Sequence, residues 1–129
     1  MKPIIGRNIR LGIVGYGARG KGQTEMLLRM EGVEVVSVCD ILPFRVEEGI
    51  AAVKAACGRE IPGYADYREQ IAMGDLDAVM IFTSWQTHVR IAVCAMKAGV
   101  YAATEVSGAT SLHECWNLVK PTKRPASRA

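Results

Sequence analysis

The sequence predicts an α/β fold: a doubly wound parallel Rossmann sheet that stops after its fifth strand and the helix following it. Three observations carry that expectation. Short apolar runs alternate with amphipathic helical segments along the chain of 129 residues. A glycine-rich turn, Gly15-Tyr16-Gly17-Ala18-Arg19-Gly20, joins the first run to the first helix, and Asp40 closes the second run twenty residues beyond Gly20. The run Ala78-Val79-Met80-Ile81-Phe82 is continuously apolar, as in a central strand covered on both faces of a parallel sheet.

Residues Ile9 to Val14 form the first expected strand, and Met26, Leu27 and Met30 are expected to supply the buried face of the helix after the glycine turn, with Gly32 ending it. Val33 to Cys39 is a β-branched strand. Pro43 suits the first turn of a second helix that runs through Val46, Ile50, Val53 and Ala56 to Gly58. Ile61 to Tyr64 reads as a short third strand weakened by Pro62 and Gly63. Asp66 and Glu69 form a capping-box pattern at the next helix, which leads to a fourth strand within Leu76 to Phe82. Val89, Ala92, Val93 and Met96 mark the inward face of a helix ending at Gly99, and Val100 to Ala103 is the fifth strand. Ser111 and Glu114 begin a last helix, with Leu112, Cys115, Trp116 and Val119 at amphipathic spacing up to Pro121; His113 is expected to be exposed.

The chain is half hydrophobic and long enough for one core. Its net charge of +3 comes from Lys123, Arg124 and Arg128 in the last nine residues; without them basic and acidic residues balance at thirteen each. A neutral body lacks the broad positive face of a nucleic-acid binder. Cys39, Cys57, Cys94 and Cys115 are far apart, with no zinc-ligand spacing, and read as buried reduced thiols. The first strand begins too early to leave room for a signal peptide, and no apolar run approaches a membrane span, so the expected location is the cytoplasm.

The glycine turn lies between a strand and a helix, the context that gives G-x-G-x-x-G its meaning. Gly15 permits the tight turn, Gly17 lets backbone approach a pyrophosphate, and Gly20 lets helix and strand pack closely, with the phosphates against free N–H groups at the helix start. Asp40 is placed to accept hydrogen bonds from the adenosine ribose hydroxyls and to repel an added phosphate, which favours NAD over NADP. Arg19 and Arg45 stand against that preference, since either can pair with such a phosphate; Arg45 also fits a solvated helix face. From the residues alone, Trp85 also fits a core cap, His88 a helix cap and Glu105 a solvated acid.

From about residue 8 to residue 120 the chain resembles the N-terminal domain of the Gfo/Idh/MocA oxidoreductase family. The family's T-P-N-x-x-H-type segment is matched by Thr83-Ser84-Trp85-Gln86-Thr87-His88, and Ala95-Met96-Lys97-Ala98-Gly99 is typical of it. Where the family has Glu-Lys-Pro, this chain has Glu105-Val106-Ser107, and Val106 cannot serve as the lysine that moves a substrate proton in the family's sugar dehydrogenases. Trp85, Val106 and Glu114-Cys115-Trp116 together resemble the branch of NAD-dependent alpha-N-acetylgalactosaminidase glycosidases. That branch implies transient oxidation of the sugar by bound NAD, elimination, water addition and reduction, outside the two-carboxylate route.

The resemblance implies that Gly15, Gly17, Arg19 and Gly20 surround the pyrophosphate, Asp40 holds the adenosine ribose, Trp85 and His88 line the nicotinamide side, and Glu105 lies near its ribose. No catalytic residue or metal ligand is assigned. The implied partners are NAD(H) and, in a full-length protein, a small sugar or glycoside; a stand-alone nucleotide-binding or redox-sensing module is the alternative. Residues 1–120 are the expected Rossmann domain and 121–129 a non-native or disordered basic tail. The family usually continues here with Thr-x-Glu-Lys-Thr-Gly-Val-Pro. Restoring one nucleotide at Lys120 in a permitted back-translation regenerates Lys-Thr-Asn-Glu-Lys-Thr-Gly-Val-Pro-Cys, so a frameshift is the expected origin of the tail. A sheet stopped there leaves an open edge, through which self-association is expected.

Overall fold

The computed structural model describes residues 6–84, 86–105 and 111–122. The elements in chain order are β1 (Ile9–Val14), α1 (Ala18–Leu27), β2 (Val33–Cys39), α2 (Pro43–Cys57), β3 (Gly63–Tyr64), α3 (Tyr67–Ile71), β4 (Ala78–Ile81), α4 (His88–Lys97), β5 (Tyr101–Thr104) and α5 (Leu112–Thr122). The strands form one parallel sheet in the order β3-β2-β1-β4-β5. The chain winds outward from β1 through β2 to β3, then returns to the other side of β1. This is the doubly wound arrangement that the alternation predicts.

Strand alternation sends neighbouring side chains to opposite faces and so builds two cores. Ile13, Tyr16, Val35, Val38 and Val53 form one, with Met80 and Phe82 packed against it. Val14, Val79, Ile81, Ile91 and Ala95 form the other. Between β1 and β2 the register slips from Leu11↔Val35 to Gly12↔Ser37, which leaves Val36 as an extra residue. Beneath the bulge the wholly buried Gln70 of α3 donates from Nε2 to Ser37 Oγ at 2.8 Å and to the Ile13 carbonyl at 3.1 Å, tying α3 to the sheet.

Local signals explain most of the element ends. Pro43 opens α2 and Gly58 closes it in the left-handed conformation at φ 73°. The Asp66 side chain accepts from Arg68 N at 2.8 Å at the start of α3, and Ser111 Oγ accepts from Glu114 N at 3.1 Å at the start of α5.

The structure corrects several expectations. The helix after the glycine turn ends at Leu27, not at Gly32, and Met26 and Met30 are 56% and 50% exposed. Its fully buried positions are Gly20 and Thr24, because the start of α1 abuts the glycine turn, and Leu27, as expected, packs against the core, half-buried. The third strand shrinks to two residues, and the fifth starts one residue later than expected and is largely exposed at the sheet edge. On α5 the apolar stripe faces outward, with Leu112 76% and Trp116 55% exposed, whereas Leu118 packs against the core. His113 is exposed, as expected.

Candidate functional site

Cofactors of open parallel sheets lie at the carboxyl ends of the strands, where the winding reverses. Here that point is the crevice between β1 and β4, and a cavity of about 360 Å3 opens beside it, lined by Gly15, Gly17, Asp40, Arg45, Thr83 and Arg90 among others. A larger cleft of about 550 Å3 lies at the opposite end of the sheet, but its arginines are neutralised: Arg7 pairs with Asp77, and Arg10 with Asp75.

The glycine turn fits a dinucleotide on steric grounds. Gly15 sits at φ +94°, and a Cβ there would lie 2.8 Å from the Phe82 carbonyl, so β4 abuts the turn. A Cβ on Gly20 would lie 2.1 Å from the Gly15 carbonyl oxygen, a separation only glycine allows. Gly17 precedes α1 with no side-chain cap, and the first turn of α1 contains no acid. Its N–H groups and the positive end of the helix are therefore open to an anion.

Asp40 follows β2 and is 7% exposed. Its Oδ2 accepts from Tyr16 N at 2.8 Å and its Oδ1 from Leu42 N at 2.9 Å. The carboxylate thus braces the glycine turn against the β2–α2 loop. Each oxygen keeps a lone pair, so the brace is compatible with ribose hydroxyls as additional donors.

The β4–α4 loop forms the opposite wall. Thr87 Oγ1 lies 2.9 Å from the Ser84 carbonyl and 2.6 Å from Thr83 Oγ1. A hydroxyl has one proton to give; if Thr87 gives it to the carbonyl, Thr83 donates to Thr87. His88 is wholly buried under this loop, with Nε2 2.9 Å from the Thr83 carbonyl oxygen. Because a carbonyl can only accept, Nε2 carries the proton, and His88 holds the loop from below without lining the cavity.

Arg19, in the first turn of α1, reaches Glu105 after β5, with Nε–Oε1 3.1 Å and Nη2–Oε2 3.3 Å. This contact raises the pKa of Arg19 through the hydrogen bond and charge of Glu105. Cys39 lines the cavity, but burial pushes its thiol up to about 12, so it is an inert wall. Among the described residues no three His, Cys, Asp or Glu side chains converge on a metal-sized site.

Of the residues read from sequence, Gly15, Gly17 and Asp40 line the cavity, Gly20 packs against Gly15, and Arg19 and Glu105 meet over the strand ends outside the cavity lining. Trp85 and Val106 lie outside the described residues. Sequence reasoning put the segment from Thr83 to His88 at the site without giving Thr83 or Thr87 a role of its own, missed Arg90, and treated Arg45 as ambiguous. A Cβ on Gly17 would lie 3.4 Å from Arg45 Nη1, so the guanidinium lies against the open side of the turn. Arg45 falls five residues after Asp40 on the first turn of α2, and that position is the signal that could have found it.

A family model described as the oxidoreductase family with an NAD-binding Rossmann fold, Gfo/Idh/MocA, matches residues 9–126. The chain is 38% identical over 121 residues to glycosyl hydrolase family 109 protein 2 of Akkermansia muciniphila, covering 91% of this chain and 25% of that protein. It is 35% identical over 120 residues to a glycosyl hydrolase family 109 protein of Porphyromonas gingivalis, covering 90% and 26%. The chain therefore spans about a quarter of those relatives' length. Its fold resembles that of the WlbA dehydrogenase from Bordetella pertussis, solved in complex with NADH and UDP-GlcNAcA. The TM-score is 0.74 at 28% identity, over 89% of this chain and 34% of that one.

Proposed function

The chain belongs to the Gfo/Idh/MocA oxidoreductase family as its NAD-binding Rossmann domain, and from that premise we propose that it holds NAD for hydride transfer to and from a sugar or glycoside within a longer protein. The observation that carries this reading is the cavity at the winding reversal, which has an open helix start and glycine turn on one side and Asp40 on the other. The pyrophosphate is held by Gly15, Gly17, Arg19 and Gly20, and the adenosine ribose by Asp40. The bound nicotinamide supplies a reversible hydride acceptor. The chain's own part is to bind and orient it: Trp85 and Glu105 serve the nicotinamide half, and His88 acts through the Thr83 carbonyl it holds.

Asp40 favours NAD over NADP, and Arg45 is the group that sets how strongly. Among the described residues no ion pair engages Arg45, which lines the cavity beside Gly17 and so offers the added phosphate a charge. Resemblance to the family 109 hydrolases favours a glycoside over a plain sugar as substrate. Among the described residues no helix is long and apolar enough to cross a membrane. The free cysteines and buried Cys39 fit the cytoplasm. Among the described residues no strand pairs beyond β5, and that edge together with the exposed Tyr101 and Leu112 favours self-association.

The test uses the purified chain with NAD and an aryl alpha-N-acetylgalactosaminide, beside a longer protein that includes it. Hydrolysis by the longer protein with none by the chain is the expected outcome. NAD-dependent hydrolysis by the chain alone would overturn the division of labour. Sedimentation across a concentration series reads self-association; a monomer throughout would contradict it.

A further inference from the structure

The winding reversal places the crevice between β1 and β4, and one side-chain contact spans it. Arg19 stands in the first turn of α1, just beyond β1, and Glu105 directly follows β5. Val14 pairs with Ile81 and Ile81 with Thr104, so the three strands end level. Strands in a sheet lie about 4.8 Å apart, so the ends of β1 and β5 are separated by about 10 Å with the end of β4 between them. The arginine side chain closes that gap and meets both carboxylate oxygens, Nε–Oε1 at 3.1 Å and Nη2–Oε2 at 3.3 Å. Its own side chain is 67% exposed, whereas that of Glu105 is 22% exposed, so the arginine is the solvent-facing partner.

Resting on the dinucleotide reading above, we propose that Arg19 and Glu105 form a latch across the crevice, and that a pyrophosphate-bearing nucleotide opens it by replacing Glu105 as the anion on Arg19. The chemistry is an exchange of one anion for another on a single guanidinium. A pyrophosphate seated at the uncapped start of α1 comes within reach of Arg19, because both lie in the same helical turn. Glu105 occupies the Nε and Nη2 edge of the guanidinium, so a phosphate that engages this same edge gains it only as Glu105 loses it. Pairs this exposed hold weakly, so the latch lowers nucleotide affinity by a factor of about two to five. It also couples the two halves of the site, since a bound pyrophosphate shifts the Glu105 carboxylate toward release at the far end of the crevice.

ADP is the probe, because it carries the pyrophosphate and lacks the nicotinamide half. Titration calorimetry at low ionic strength should show Glu105→Gln binding ADP about two- to fivefold more tightly than the unaltered chain. In an Arg19→Gln background the same Glu105→Gln change should leave ADP affinity unchanged, because no latch remains to break. Unchanged or weaker ADP binding by Glu105→Gln overturns the latch. So does a gain that persists without Arg19, which would mark a general field effect of the lost charge. If the unaltered chain binds neither ADP nor NADH, the nucleotide reading falls and the latch with it. If it binds both and Glu105→Gln brings no gain, only the latch falls.

Discussion

Gly20 and Gly22 stand two residues apart on α1, and replacing each with alanine should move stability in opposite directions. A Cβ on Gly20 would lie 2.1 Å from the Gly15 carbonyl oxygen, whereas one on Gly22 would meet nothing within 4 Å. Ordinary contact begins near 3.4 Å, so Gly20→Ala must push the start of α1 about 1 Å from the glycine turn, and the obstacle is backbone that no rotamer change can clear. Overpacking of this kind costs about 1–3 kcal/mol, partly offset by about 1 kcal/mol of helix propensity. The same propensity acts unopposed at the exposed Gly22, so Gly22→Ala should stabilise by about 0.5–1 kcal/mol. Urea unfolding reads both, and NADH titration adds a second criterion. Gly20→Ala should lose roughly tenfold or more in affinity because the N–H groups facing the pyrophosphate move, while Gly22→Ala should bind normally. A Gly20→Ala chain as stable and as tight for NADH as the parent would refute the role given to the turn.

Three further outcomes follow from the geometry. Asp40→Ala should cost both stability, by about 2–4 kcal/mol, and NADH affinity, because Tyr16 N and Leu42 N lose a charged acceptor at a buried position; undiminished stability in urea would show that the brace is unimportant. Asp77 accepts from both Arg7 guanidinium nitrogens and from Arg10 N, and the Arg7 hydrogen bond foremost lowers its pKa. Its contribution is therefore complete above the unfolded pKa of about 4 and drains away as pH falls through the lower folded value. Asp77→Asn should flatten the loss of stability on going from about pH 5 to pH 2, and an unchanged acid limb would contradict that. Among the described residues the buried Tyr16 hydroxyl has no hydrogen-bond partner, so Tyr16→Phe should leave stability equal or raise it by up to about 1 kcal/mol; a clear loss on thermal unfolding would show that the hydroxyl is satisfied.

The order of elements was legible because each strand is a compact apolar run and each turn is marked by glycine, proline or a capping side chain. The glycine turn and Asp40 were legible for the same reason: their roles are local and depend on backbone. What escaped depends on how closely elements approach. The apolar residues Met26, Leu27 and Met30 suggested an inward face; Leu27 does pack against the core, but the fully buried positions of α1 are Gly20 and Thr24, and the methionines turn outward. On α5 the amphipathic spacing was real, yet at the sheet edge that stripe faces outward and Leu118 alone was seen to reach the core. The burial of His88 beneath Thr83 and the meeting of Arg19 with Glu105, 86 positions away, are long-range facts that no local pattern encodes.

The central claim is that this cleft takes NAD and that Asp40 selects it. Titrating the purified chain with NADH and with NADPH, followed by nicotinamide fluorescence in one buffer at one ionic strength, tests it most directly. The account predicts saturable NADH binding about tenfold or more tighter than NADPH. Equal or tighter NADPH binding, or no NADH binding at all, would contradict it.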